Sequence, residues 1–400
     1  MIKNILGNIT QTYLNLTNLQ RNLVMSIVAV LVYVASTSIS YSLFSNLITS
    51  SLPTVGEVEK QTALPGPSTS FEEDPNAPKT AECPLNGSMH TEKAKEFWNE
   101  RRPLAIMIEN HTEARPQSGL TNADIIYEAV AEGGITRFMA IYLCNVADVQ
   151  VGPVRSARTY YLDWLGEYDA LYAHVGGANS PGPADALGQI IRFDVKDLNQ
   201  FSIGFPVFWR DYQRLGHPVA TEHTMYSTTQ KLWEVGAKRG WVATDSAKIR
   251  WDKNFNPWEF KDDQPSTGGN VKVTFWESQP GYEVEWVYDN VTNNYKRING
   301  GDEHKDLNND KQLIAKVIIV QFQKESRAND GYPGNVHLLY ETTGGGEALI
   351  IQDGKVTEGS WSKKSRTART VFLDKNNKEI KLNKGQIWIQ TVPEGARVTY

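Results

Sequence analysis

The stretch 123-ADIIYEAVAEGGITRFMAIYL-143 decides how the centre of the chain folds. Two runs rich in β-branched and aromatic residues flank Gly133 and Gly134, and a Gly-Gly pair between such runs predicts a β-hairpin. The preceding stretch 102-RPLAIMIEN-110 is short and apolar and ends in polar residues, which is typical of a buried strand. These strands predict a sheet at the centre of a folded domain.

The sequence patterns on either side of this central sheet predict two domains. Strands interspersed with helical patterns indicate a mixed α/β domain over residues 99–245. From residue 270 to residue 396 the chain is a series of β-rich segments separated by Gly, Asn and Asp turns, which indicates a β-rich domain. The predicted fold class is therefore α+β.

The N-terminal region carries a run without charged residues over residues 23–44. A helix of about twenty apolar residues spans a bilayer core, so the run predicts one transmembrane anchor. Lys3 and Arg21 precede it, which makes residues 1–22 a cytoplasmic segment and places the rest of the chain outside the cell. A secretory signal sequence, cleaved or retained, is the alternative interpretation.

Residues 45–98 are rich in Ser, Thr, Pro, Glu and Gly, a composition that does not bury enough apolar surface to fold, and they predict a disordered extracytoplasmic stalk. Cys83 and Cys144 are the two cysteines of the chain. Outside the cytoplasm they can form a disulfide that joins the start of the folded region to its sheet, or they can remain free.

Composition excludes some classes of function. The formal net charge is −5 and both signs are interspersed, whereas a nucleic-acid-binding protein normally shows a basic stripe. The sequence has no CxxC motif and no Cys/His spacing of the kind that binds zinc. We therefore expect no nucleic-acid partner, no metal and no cofactor.

Several long motifs recur in the order known from one family. They are CPLNG (83–87), RRPLAIMIENHTEARPQSGLTNADIIYEAVAEGGITRFMAIY (101–142), VGPVRSAR (151–158), YDALYAHVGG (168–177), EHTMYS (222–227), QDGKVTEGSWSK (352–363) and GQIWIQTVP (385–393). Over roughly residues 80–396 the chain resembles the YerB-like lipoprotein family, which is described by the N- and C-terminal domains of unknown function 3048. The resemblance implies a two-domain extracytoplasmic protein and implies no known activity. Members are commonly tethered by a lipid on an N-terminal Cys, whereas this chain has an uncharged run.

The stretch 151-VGPVRSARTYYLDWL-165 places Arg155, Ser156 and Arg158 ahead of a helical pattern. If Ser156 is the N-cap, free backbone N–H groups and two guanidinium groups meet there, which suits a phosphate or a carboxylate. Two alternatives remain open. The arginines can pair with acids of the same domain, such as Glu109, Glu128 or Glu132, or they can lie on a solvated face.

Glu128 and Glu132 have equal parity along one predicted strand, so they are expected on the same side of the sheet. Two close carboxylates suit glycosidic bond cleavage, and the same acids interleaved with arginines suit a structural ion-pair network. His174 ends a predicted strand and His223 opens a predicted helix. Each histidine suits either a cleft or a structural hydrogen bond.

The sequence therefore predicts a membrane-anchored extracytoplasmic protein that binds an anionic or saccharide ligand of the cell envelope. No complete nucleophile and base can be assembled, so the sequence leaves open whether the chain is an enzyme. The alternatives are a hydrolase of an envelope polymer, of glycosidase or phosphodiesterase type, and a protein–protein scaffold. The predicted ligand-binding residues are Arg115, Glu128, Glu132, Arg137, Arg155, Ser156, Arg158, His174 and His223.

Overall fold

The computed structural model describes residues 16–49, 71–331 and 337–400. The chain divides into two compact units, Met1–Leu64 and Pro65–Tyr400. In the first unit the structure describes one helix, α1 (Asn18–Thr49). Most of the predicted cytoplasmic segment and residues 50–70 of the predicted stalk lie outside the described residues.

The transmembrane anchor predicted over residues 23–44 is wrong. Within the three described ranges, no helix combines the length and the apolar content that crossing a bilayer requires. The second half of the predicted span carries Ser36, Thr37 and Ser38, and hydroxyl side chains reduce the apolar content of a helix. The lack of charged residues is therefore not sufficient to predict a membrane-spanning helix.

The second unit is built mainly from strands. Its helices are α2 (Glu92–Asn99), α3 (Thr159–Leu165), α4 (Ala186–Arg192), α5 (Gln200–Ile203) and α6 (Thr229–Lys238). Its strands up to residue 261 are β1 (Lys79–Glu82), β2 (Met89–Thr91), β3 (Leu104–Glu109), β4 (Ile125–Glu132), β5 (Ile135–Tyr142), β6 (Gln150–Val151), β7 (Leu171–His174), β8 (Lys196–Asn199), β9 (Trp209–Arg210), β10 (Met225–Thr228) and β11 (Phe260–Lys261).

The remaining strands follow residue 270. They are β12 (Val271–Val273), β13 (Val284–Asp289), β14 (Asn294–Asn299), β15 (Asp302–Glu303), β16 (Ile314–Ala315), β17 (Val317–Gln323), β18 (Glu325–Arg327), β19 (Leu338–Tyr340), β20 (Gly344–Gln352), β21 (Lys355–Lys363), β22 (Val371–Leu373), β23 (Leu382–Asn383), β24 (Ile387–Pro393) and β25 (Val398–Thr399).

The fold class is mostly β, so the α+β prediction is wrong. Strands account for 36% of the structure and helices for 20%. The described helices of the second unit are short, from four residues in α5 to ten in α6. The periodicity of apolar residues predicts where such short helices lie. It overstates the helical share of the domain, because the strands between the helices form one continuous sheet.

Ten strands form the large sheet, in the order β22-β21-β20-β17-β24-β4-β5-β3-β7-β8. Strand β24 lies between β17 and β4 and is parallel to both. The strands from β3 to β8 belong to the first predicted domain, and those from β17 to β24 belong to the second. The residues of both predicted domains therefore share one sheet and one compact unit.

The predicted hairpin is present as β4 and β5, which pair antiparallel. Gly133 and Gly134 form its turn with φ angles of 57° and 82°, a region that favours glycine. The register shifts between Val130 and Glu132, which is a β-bulge. A bulge changes the alternation of side chains, so residues on either side of it need not share a face.

Each face of the large sheet is covered. On one face Tyr127 of β4 stacks on Trp164 of α3, with ring centroids 5.3 Å apart. On the other face Trp388 of β24 packs edge-on against Trp286 of β13, also at 5.3 Å. Strand β13 belongs to the small sheet, ordered β15-β14-β13-β12-β25, with β16 beside β14. The buried core thus extends through helix, large sheet and small sheet.

The stalk predicted over residues 45–98 is wrong for its described C-terminal part. Strands β1 and β2 form an antiparallel pair, and helix α2 follows them. Cys83, which is fully buried, forms a disulfide with Cys144 across 61 residues of sequence. Average composition does not predict that this segment is folded, because the segment is polar on average. A few buried side chains and one disulfide bond are enough to fold it.

Candidate functional site

A polar edge lies at the carboxyl end of the parallel strands β3 and β7, which end at Glu109 and His174. The loop 153–158 crosses between them and is hydrogen-bonded to the sheet, since the N–H of Glu109 donates to the carbonyl of Pro153 at 3.0 Å. In sheets with parallel strands, ligands commonly bind beyond the carboxyl ends. The crossing places Arg155 at such an edge.

Gly152 makes this crossing sterically feasible. Its φ angle is 152°, and a Cβ at this position would lie 2.8 Å from the carbonyl oxygen of Met225. Any larger residue would push the loop away from β10. The glycine of the VGPVRSAR motif therefore serves the close approach of two backbones.

Glu132 pairs with two arginines at the polar edge. Its Oε1 accepts from Nη2 of Arg137 at 3.0 Å, and its Oε2 accepts from Nη2 of Arg158 at 2.6 Å. Ser156 joins the two arginines, because its Oγ lies 3.1 Å from Nη1 of Arg137 and 3.0 Å from Nη1 of Arg158. The arginine side chains are 2% and 6% exposed. This part of the edge is an internal ion-pair network with two positive side chains and one negative side chain.

The ionisation of Glu132 limits its chemistry. Burial alone would raise the pKa of Glu132, but the charges of Arg137 and Arg158 outweigh burial and hold this pKa at about 2. A carboxyl with so low a pKa has no proton to give near neutrality. Glu132 is therefore unsuited to act as the general acid of a glycosidase.

Arg155 has a different environment from the other two arginines. Its Nε donates to Oε1 of Glu109 at 3.0 Å, and Oε2 of Glu109 accepts from Nδ1 of His223 at 2.8 Å. The hydrogen bond that His223 donates to Glu109 raises the pKa of His223. The Arg155 side chain is 28% exposed, and its Nη1 and Nη2 have no hydrogen-bond partner among the described residues. Arg155 thus presents unpaired donors at the surface.

The predicted N-cap at Ser156 is wrong. Helix α3 begins at Thr159, its N-cap is Arg158, and no side chain caps it. The Ser156 hydroxyl faces Arg137 and Arg158 instead. The helix has only seven residues, so the anion-binding features of this edge come from guanidinium groups rather than from a helix end.

Glu128 lies in a second polar network, on the other side of the bulge. Nη2 of Arg297 lies 2.9 and 2.8 Å from its two carboxylate oxygens, and Nε2 of Gln390 donates to it at 2.9 Å. Glu128 and Arg297 are fully buried. The expectation that Glu128 and Glu132 share a side is therefore wrong, because the bulge intervenes. Glu128 has no surface with which to contact a substrate.

Arg115 belongs to this second network, and its guanidinium group donates to other groups of the protein. Its Nε donates to Oδ1 of Asn110 at 3.0 Å, and its Nη1 donates to the carbonyl of Gly281 at 2.9 Å. Burial lowers the pKa of Arg115 to about 10. The residue lines a cavity of about 360 Å³ at the junction with the small sheet, together with Asn299 and His304.

His174 is not open to a ligand. It is fully buried, with Nδ1 placed 2.7 Å from the carbonyl oxygen of Gly176 and Nε2 placed 2.7 Å from Oδ1 of Asp197. Both ring nitrogens therefore face acceptor oxygens of the protein. Such an environment is typical of a structural histidine rather than of one that faces a cleft.

The structure therefore divides the predicted residues into groups. Glu132, Arg137, Ser156 and Arg158 form the ion-pair network, and Arg155 and His223 meet at Glu109. The polar edge is defined by these residues: Glu109, Glu132, Arg137, Arg155, Ser156, Arg158 and His223. Sequence reasoning missed Arg297, which contacts Glu128 across 169 residues without any local pattern to indicate it.

Comparisons with known proteins agree on one family. Residues 87–242 match the N-terminal domain, and residues 271–389 the C-terminal domain, of a protein of unknown function, DUF3048. The chain is 31% identical over 323 residues to the "Putative lipoprotein YerB" of Bacillus subtilis (strain 168), covering 80% of this chain and 88% of that protein. It is also similar to the crystal structure of the YerB protein from Bacillus subtilis, with a TM-score of 0.66, 28% identity, and coverage of 80% of this chain and 100% of that chain. The chain therefore belongs to the YerB-like DUF3048 family.

Proposed function

We propose that the chain is an extracytoplasmic protein of the cell envelope that binds an anionic or saccharide ligand of the envelope at the polar edge. Similarity to a protein named as a lipoprotein supports association with the envelope. The disulfide between Cys83 and Cys144 supports the same location, because disulfides persist mainly in oxidising compartments outside the cytoplasm.

The observation that carries the proposal is the unpaired half of the Arg155 guanidinium. Glu109 fixes its Nε and thus its orientation, while Nη1 and Nη2 remain available. A carboxylate or a phosphate can accept from two guanidinium nitrogens at once, which gives both affinity and orientation. Arg137 and Arg158 add positive charge behind Arg155 that the single carboxylate of Glu132 does not fully balance.

An exposed aromatic ring beside the edge supports the saccharide part of the proposal. Phe201 is 76% exposed, and its ring would lie 2.9 Å from a Cβ placed on Gly176. The carbonyl of Gly176 accepts from the N–H of Ala157, which follows Ser156 in the loop. Phe201 therefore offers an exposed apolar face beside Gly176, shortly after the end of β7, on which a sugar ring can stack.

Binding by the full chain tests the proposal. Isothermal titration with poly(glycerol phosphate) and with soluble peptidoglycan fragments should show binding that Arg155→Ala weakens by about tenfold or more, since a hydrogen bond to a charged group is worth about 1.5–3 kcal/mol. Arg155→Lys should recover part of the affinity, because it keeps the charge and loses the fork.

The control is Arg250→Ala, which removes an exposed arginine beside Asn99, before the amino end of β3 and so at the opposite end of that strand from Glu109. Equal binding by wild type and Arg155→Ala, or equal weakening by Arg250→Ala, would contradict the proposal. The hydrolase and scaffold alternatives have no comparable observation behind them in the described residues. For the hydrolase in particular, Glu128 is buried and the pKa of Glu132 is about 2.

A further inference from the structure

Three metal-ligating side chains converge beside the polar edge. The ligand atoms of His111, Glu113 and His223 all lie within 4.8 Å of one another. Nε2 of His223 lies 3.5 Å from Oε2 of Glu113, and the rings of His111 and His223 stack with centroids 4.8 Å apart and planes 14° apart. Two imidazoles and one carboxylate are ligand types that zinc and similar ions prefer.

A fourth side chain prepares His223 for a metal. The carboxylate of Glu109 only accepts hydrogen bonds, so its 2.8 Å contact places the proton on Nδ1 of His223. In the neutral ring Nε2 then carries the lone pair, on the side where Glu113 lies. A carboxylate behind a ligating histidine is the arrangement that orients such ligands in known metal sites.

The spacing of His223 and Glu113 fits one edge of a tetrahedral site. Ligand atoms held about 2.0–2.2 Å from a zinc ion lie about 3.3–3.6 Å from each other along such an edge. The observed 3.5 Å between His223 and Glu113 matches that edge and is longer than a good hydrogen bond. Glu113 is 64% exposed, so the remaining coordination position opens to solvent.

His111 must adjust to take part. Its Nδ1 accepts from the backbone N–H of Glu113 at 3.2 Å. Coordination through Nε2 of His111 moves the ring proton to Nδ1 and replaces that single hydrogen bond, and the two stacked rings tilt so that their lone pairs converge. His111 is only half-buried, which leaves room for this movement.

The geometry points to a site for one divalent transition-metal ion, Zn²⁺ by its ligand chemistry, bound by His111, Glu113 and His223 with Glu109 as the positioning residue. Three protein ligands and one open position are typical of zinc sites that bind a further molecule rather than of purely structural ones. The sequence conceals this site, because His223 is separated from His111 and Glu113 by most of the first predicted domain.

The test is titration of the chelator-treated full chain with ZnCl₂ alone. Isothermal titration should show one ion per chain, and Co²⁺ should give the visible absorption of a tetrahedral cobalt complex. Glu113→Gln and His111→Ala should each weaken Zn²⁺ binding by at least about tenfold, and Glu109→Gln by about 10–100-fold. Both Glu113 and His111 are accessible, so these variants should keep the melting temperature of the metal-free wild type.

Matched controls are His217→Ala and Glu303→Gln, which remove an exposed histidine and an exposed carboxylate outside the cluster and should bind Zn²⁺ as the wild type does. The inference is overturned if wild type takes up no Zn²⁺, if Glu113→Gln and His111→Ala bind it equally well, or if the controls lose it to the same extent. Because no saccharide is present, the outcome is independent of the proposed anion binding.

Discussion

Glu128 and Arg297 form a fully buried ion pair between the large and the small sheet, although 169 residues separate them in sequence. Gln390 of β24 donates to the same carboxylate, and Nε of Arg297 donates to Nδ1 of His304 at 3.0 Å. One carboxylate thus holds together β4, β14 and β24. The second polar network is a structural joint rather than a catalytic centre.

Removing one partner of this pair should strongly destabilise the protein. We expect Glu128→Ala to lower the free energy of unfolding by about 3–5 kcal/mol, because it leaves the charge of Arg297 buried and uncompensated. The double variant Glu128→Leu, Arg297→Met should lose less than either single variant. Urea denaturation measures both, and an effect below about 1 kcal/mol for Glu128→Ala would refute this role.

The arginines of the polar edge should differ in how much they contribute to the stability of the fold. Arg158→Ala removes a nearly buried guanidinium and leaves the half-buried Glu132 with one partner, so we expect a loss of about 2–4 kcal/mol in unfolding free energy. Arg155→Ala should cost less than half of that, because Arg155 is more exposed and Glu109 keeps its bond to His223. Parallel urea denaturation of the two variants decides it, and equal losses would argue that Arg155 is structural as well.

Acid should weaken the polar edge through Glu132. Its folded-state pKa of about 2 lies below the ordinary value of 4.5, so its contribution to stability is present above about pH 4.5 and is lost as pH falls toward 2. The contribution is at most about 3–4 kcal/mol, at about 1.36 kcal/mol for each pKa unit. Unfolding free energies of wild type and Glu132→Gln, measured from pH 6 to pH 2.5, should converge as pH falls. Parallel curves would show that Glu132 does not titrate this way.

The disulfide should contribute substantially to stability. Reducing the bond between Cys83 and Cys144 frees the segment of β1, β2 and α2, and we expect a loss of about 2–5 kcal/mol. Thermal unfolding with and without dithiothreitol measures it. A variant with both cysteines changed to serine should match the reduced wild type and should not respond to dithiothreitol, since the chain has no other cysteine. A response in that variant would mean that the reagent acts elsewhere.

Local features of the fold could be predicted from the sequence, and distant ones could not. Gly133 and Gly134 predict the hairpin because a two-residue turn depends on neighbouring residues alone. The bulge at Val130 could not be predicted, since it appears only in the pairing of two strands. It separates Glu128 from Glu132 and overturns the expectation of a shared face.

The same limit applies to the candidate site. The VGPVRSAR motif indicates a guanidinium group next to Ser156, because Arg158 is only two residues away, whereas the contact of Arg137 with Ser156 comes from a different strand. Which acid each arginine contacts depends on how β3, β4 and His223 come together in the fold. The spacing of residues along the chain does not encode these contacts. The prediction over residues 23–44 is wrong for a different reason. The absence of charged residues predicts a transmembrane helix there, but the helix does not combine the length and the apolar content that crossing a bilayer requires.

The position of β24 has a consequence for biosynthesis. Ile387–Pro393 follows both β4 and β17 in the sequence, yet it is the strand that joins them at the middle of the large sheet. These residues leave the ribosome or an export channel after β4 and β17 have emerged, so β4 and β17 each keep an unpaired edge until β24 has been made. The large sheet therefore cannot close before that point, and a nonsense mutation before residue 387 should leave a product that holdase chaperones retain and proteases remove.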